Sequence, residues 1–239
     1  MKKFKALLLQ HMELMIMYMI PLIACFYELL NDEKHLITYT DLEAIGSDGM
    51  FVFIILIPLV MFTITNSIRN LLKVDFLLRC PNVNVFINIA MKKIMTTSIF
   101  AALYFHCPLM IFVRIRNFDL GELGQWVGFL MGIWTFTSIF MLIGMSMFLL
   151  SIKMGASPKN MFIVMGVIYS VTIIQKFLFY NASIRIMGIS DIFMLNMVCR
   201  GNYINVLSCI WWAFGLGIAI AILYSFIRYK IKNSDILWG

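Results

Sequence analysis

The feature that most limits what this chain can fold into is an apolar run of about 20 residues that recurs along its length. Coiled as a helix, such a run crosses the ~30 Å hydrocarbon layer of a bilayer. Six segments qualify, at residues 7–27, 50–68, 94–113, 125–150, 160–180 and 205–227. Of the 239 residues, 62% are hydrophobic and only 13% charged, against roughly 45–50% and about 25% for a soluble domain. A larger core does not explain that excess, because a soluble fold still needs polar residues to cover its surface. The expected class is an all-α polytopic membrane protein with one membrane domain over residues 1–239 and no soluble domain.

The first segment opens on Lys2, Lys3 and Lys5, as a signal peptide would. It is nevertheless long, is interrupted by Glu13, and has no small-x-small cleavage site after it. The expectation is therefore a retained anchor. Orientation follows from the basic residues, since Lys and Arg are held on the cytoplasmic side. With the N-terminus inside, the inner segments hold 13 of the 19 Lys and Arg, and the outer segments hold Lys34, Arg114, Arg116, Arg185 and Arg200. Both termini are thus expected in the cytoplasm. The net charge of +7 reads as a topology signal, and no nucleic-acid partner is expected. Usage rich in Ile, Lys, Asn and Met fits an AT-rich bacterial genome and a multi-pass protein of the cell membrane.

Between the second and third segments lies "FLLRCPNVNVFINIAMKK", residues 76–93. After Pro81 the apolar residues Val83, Phe86, Ile87, Ala90 and Met91 recur at helical spacing. Asn84, Asn88 and Lys92 step along the other face at i, i+4 and i+8. Arg69 and Lys73 are expected to carry the second span beyond the membrane as a helix, which Pro81 then breaks, because a proline disfavours helical geometry in the residue before it. The expectation is a short transverse amphipathic helix on the cytoplasmic side, followed by a separate third span. It would either lie on the membrane surface or be gripped by a soluble partner. On the outer side, residues 181–204 are too apolar for a free loop and too charged for a full span, which suits a re-entrant or interfacial hairpin. Gly188 or the Arg200-Gly201-Asn202 stretch would supply its turn.

Catalytic motifs are sparse. The chain has no G-x-x-x-x-G-K-[ST], H-E-x-x-H or G-x-S-x-G, so it holds neither a P-loop nor a standard metal or nucleophile-elbow site. The five Cys show no metal spacing. His106 and Cys107 adjoin within the third span, and a thiol nucleophile needs a base within reach. Consecutive helical residues, however, point about 100° apart, which favours two packing residues beside Pro108. Glu13 and Lys176 are ionisable residues within spans, costly there and thus candidates for a role in transport or gating. Gly128 and Gly132, Ala213 and Gly217, and Gly217 and Ala221 lie four apart, a spacing that permits close helix approach.

The pattern of six spans, a basic N-terminal segment, a transverse helix after the second span and an apolar outer segment before the sixth resembles the permease subunits of type-2 ABC exporters. In size it is similar to those serving bacteriocin or lantibiotic immunity and cytolytic-peptide export. The resemblance implies a coupling helix over residues 81–93, with Arg79, Asn84, Phe86, Ile87, Asn88 and Lys92 at the ATPase interface. It also implies a re-entrant outer gate at 184–200, with Arg185, Gly188, Asp191 and Arg200. ATP and Mg would be held by a separate ATP-binding cassette subunit, with no cofactor in this chain. A second permease, the same chain or a paralogue, would complete a twelve-span dimer around an amphipathic peptide or lipid-like substrate. Two other readings stay open: a membrane peptide-processing enzyme using His106 and Cys107, and a non-catalytic immunity or sensor protein.

Overall fold

The computed structural model describes residues 22–23, 57–72, 80, 82–116, 123–154, 157–181, 199–200, 203–204 and 206–232. They form helices α1 (Ile57–Leu71), α2 (Val83–Arg116), α3 (Leu123–Met154), α4 (Pro158–Asn181) and α5 (Val206–Lys232). Two short strands, β1 (Cys199–Arg200) and β2 (Tyr203–Ile204), pair antiparallel between α4 and α5. Three helical stretches among the described residues are long and apolar enough to cross a membrane: Val83–Phe112, Trp126–Met154 and Ala213–Lys232. Of the first expected span only Leu22 and Ile23, both helical, are described.

The bundle is organised around α3, which touches every other described helix. It runs antiparallel to α2: Phe86 meets Phe148 near the start of α2, and Phe105 meets Phe136 near its end. Midway, α1, α2 and α3 converge at Gly144. A Cβ added there would stand 2.6 Å from Ile94 Cγ2 and 3.2 Å from Ile64 Cδ1. Glycine is required at that crossing because any side chain would hold the backbones apart. Three hydroxyls in the interior are satisfied locally. Thr63, Ser98 and Ser151 donate to the carbonyls of Leu59, Ile94 and Met147 on their own helices, which lets polar residues sit in an apolar interior at little cost.

Helix ends follow their sequences. Asn82 caps α2, with Oδ1 accepting from Val85 N–H at 2.9 Å. Ser157 caps α4 by accepting from Asn160 N–H at 3.2 Å, and Pro158 occupies the first helical position, where its missing N–H costs nothing. Asn160 also donates its side-chain amide to the Met154 carbonyl at the end of α3, so one residue ties both sides of that tight connection.

Two expectations are corrected. The separate transverse helix at 81–93 is absent: residues 83–116 form one helix of 34 residues, about 51 Å long. Nothing between Asn82 and Pro108 interrupts it. The Lys92-Lys93 pair lies within it, and a helix once begun runs through two polar residues readily because propagation is easier than fresh nucleation. The second correction concerns Arg200, expected within a helical re-entrant pair. It lies in β1, paired with Tyr203; Gly201 and Asn202, part of the expected turn, lie outside the described residues.

Candidate functional site

The first three turns of α2 present two different faces. Phe86, Ile87 and Ala90 are fully buried and Met91 is buried beside them. The Phe86 ring lies 5.7 Å from that of Phe148, so this end of α2 is fastened to α3. Asn84, Asn88 and Lys92 are all exposed on the other face. Asn88 Oδ1 accepts from the Tyr224 hydroxyl at 3.3 Å, which pins the start of α2 against the last two turns of α5. The expected stripe therefore exists as a surface feature. Phe86 and Ile87 hold the helix to its own bundle and are inaccessible to a partner's groove.

Basic residues gather around this end. Arg69 is in the last turn of α1, Lys153 in the last turn of α3, and Lys230 and Lys232 in the last turn of α5. Lys159 follows directly in α4, and all of these with Arg228 are exposed. Lys230 also lies over the Phe226 ring at 5.7 Å. Burial pushes the Cys80 thiol above its ordinary pKa, making it a poor nucleophile.

Glu13, Arg79, Arg185, Gly188 and Asp191 lie outside the described residues, while Lys176 is on α4 near its end.

His106 is completely buried. Its ring meets Phe105 at 5.0 Å and Phe136 at 4.5 Å, both edge-on, and hydrogen-bonds the backbone of Gly132. Gly132, singled out for close approach, thus receives an imidazole. Cys107 is half-buried and free. This setting suits helix packing. Cys107→Ser should leave folding and activity at wild-type levels, measured by thermal unfolding in detergent and by assay on a peptide substrate. A selective loss of peptide processing in a folded variant would restore the enzyme reading. Among the described residues no group of His, Cys, Asp or Glu is placed to hold a metal.

Sequence reasoning overlooked Gly144 and the Tyr224 anchor. Residues four positions either side of Gly144 are Phe140 and Phe148, so a search for paired small residues passes over it. Tyr224, Arg228 and Lys232 carry a signal that was there to read, a polar face at i, i+4 and i+8 on the last helix. No protein-family model matches the chain, and no curated protein or solved structure matches it either.

Proposed function

We propose that this chain is the membrane subunit of an ATP-driven exporter of the type-2 ABC kind, working with a separate ATP-binding cassette subunit and a second permease chain. One observation carries the reading: an exposed polar stripe, Asn84, Asn88 and Lys92, on a helix end whose opposite face is buried in the bundle. A rigid helix with a polar handle suits the transfer of movement from a soluble partner to membrane spans. The continuous α2 suits it better than a hinged transverse helix, because a push at Asn84 travels along an uninterrupted helix as far as Pro108. On this reading the basic end faces the cytoplasm, and ATP with its Mg belongs to the partner chain. The outer gate at Arg185, Gly188, Asp191 and Arg200 closes the exit for an amphipathic peptide or lipid-like substrate.

The test is co-purification with an ATP-binding cassette subunit, sought among the reading frames adjacent to this chain's own. Asn84→Asp with Lys92→Glu reverses the character of the stripe without touching a buried residue. The complex should weaken by roughly tenfold or more, since like charges at an interface cost several kcal/mol, while the permease alone elutes as wild type. Undiminished assembly and nucleotide-dependent transport by this variant would remove the stripe from the coupling mechanism and with it the main support for the reading.

A further inference from the structure

An asparagine side chain is ambivalent: its oxygen accepts hydrogen bonds and its NH2 donates them. On an open helix face such an amide can turn either way toward a partner. Asn88, at the centre of the stripe on α2, is held in one orientation. Its Oδ1 accepts from the Tyr224 hydroxyl at 3.3 Å, which directs the oxygen toward α5 and leaves the NH2 for whatever approaches. Tyr224 is half-buried, with its ring packed on the core of the bundle, so the hydroxyl that orients Asn88 is itself fixed. Lys92 stands one turn along α2 from Asn88, and Arg228 one turn along α5 from Tyr224; both are exposed. Ammonium and guanidinium groups have donors and no acceptor. The surface around the Tyr224–Asn88 bond is therefore a donor surface.

We propose that this surface recognises a carboxylate-rich segment of the soluble partner, with Tyr224 as the residue that positions the Asn88 amide as a donor. The proposal rests on the coupling reading for what the stripe faces, and adds the chemistry of the surface that meets it. A carboxylate has two oxygens that accept from several donors at once, and its bonds to Lys and Arg are charge-assisted and strong. A basic segment would meet like charge at Lys92 and Arg228. A neutral segment would strip water from both cations without pairing them, which is costly. Asp and Glu satisfy Asn88, Lys92 and Arg228 together.

The experiment places the full chain in nanodiscs of phosphatidylcholine and follows binding of a fluorescein-labelled oligoglutamate peptide by anisotropy, with oligoglutamine and oligolysine peptides as controls. The wild type should bind oligoglutamate alone. Other cations at this end of the bundle also attract an acidic peptide, so the variants carry the assignment. Asn88→Ala should weaken binding roughly tenfold, as loss of a hydrogen bond to a charged group does. Asn88→Asp puts an anionic oxygen where the NH2 was and should weaken it further. Tyr224→Phe keeps the ring, loses the hydroxyl, and should cost about three- to tenfold. In that background Asn88→Ala should cost no more than about threefold further, because the two residues act as one unit. A tyrosine that merely held α5 in place would lower binding and leave the cost of Asn88→Ala as it was. Equal costs of Asn88→Ala in the two backgrounds therefore overturn the proposal, as does wild-type affinity in Asn88→Asp. The same variants are then measured with the ATP-binding cassette subunit, where parallel losses support it. The predicted pattern with oligoglutamate, but no capture of the subunit, upholds the acidic partner and removes the transport reading, so the two fail separately.

Discussion

Gly144→Leu should prevent the bundle from assembling, and Gly217→Leu should leave it standing. Both substitutions place the same side chain on an apolar helix, and both gain the same helix propensity, about 1 kcal/mol over glycine. They differ in what the new atoms meet. At Gly144 the first carbon already intrudes to 2.6 Å of Ile94 Cγ2. That methyl sits on the branch point of a fully buried side chain, whose χ1 is stiff in a helix. Ile94 cannot swing aside, so α3 must move away from α2 and α1 together. Overpacking a tight core with one or two methylenes costs typically 1–3 kcal/mol, and a leucine brings four carbons to a three-helix crossing. At Gly217 the same carbon meets open space. Fluorescence-detected size exclusion after detergent extraction should show aggregate for Gly144→Leu and a wild-type peak for Gly217→Leu. Equal behaviour of the two would mean that α1, α2 and α3 do not converge as described.

That pair of glycines also marks where the sequence was legible. Gly217 drew notice through its small neighbours at four-residue spacing, yet in the bundle it lies open; small residues permit approach without requiring it. Gly144 is flanked at that spacing by phenylalanines and carries no such pattern, because the third partner in its crossing, Ile64, is distant in sequence. Apolar runs of membrane length announced α2, α3 and α5, whereas the caps at Asn82 and Ser157, ordinary capping chemistry, were passed over in the sequence and emerged with the structure. The continuity of α2 was concealed by Lys92-Lys93. Hydropathy reports where solvent changes, and helix ends are set by caps and breakers, so a polar pair inside a helix looked like a boundary. The stripe at Asn84, Asn88 and Lys92 was readable from spacing alone. Its anchoring through Asn88 to Tyr224 was not, for the two residues lie 136 positions apart.

Phe86→Ala should destabilise the membrane domain itself, before any partner is considered. From spacing alone, Phe86 and Ile87 could as well fill a partner's groove, in which case their loss would release the partner and spare the bundle. The structure decides between the two: Phe86 is fully buried and its ring lies 5.7 Å from Phe148, itself fully buried. Truncating a buried phenylalanine costs about 3–5 kcal/mol in soluble cores. In a bilayer the lower end is the better guide, since lipid already provides apolar surroundings and what is lost is packing. A loss of about 3 kcal/mol is still large against the 5–15 kcal/mol that typically holds a domain. The purified variant without any partner should therefore unfold several degrees below the wild type in a detergent thermal ramp. Phe148→Ala should do the same, and the double variant should cost less than the sum, because each single change already abolishes the shared contact. Asn84→Ala and Lys92→Ala, on the exposed face of the same turns, should leave the unfolding temperature unchanged. An unfolding temperature for Phe86→Ala equal to wild type would show that the start of α2 is not fastened to α3, and a helix so loosely held could not act as the rigid rod that the transport reading needs.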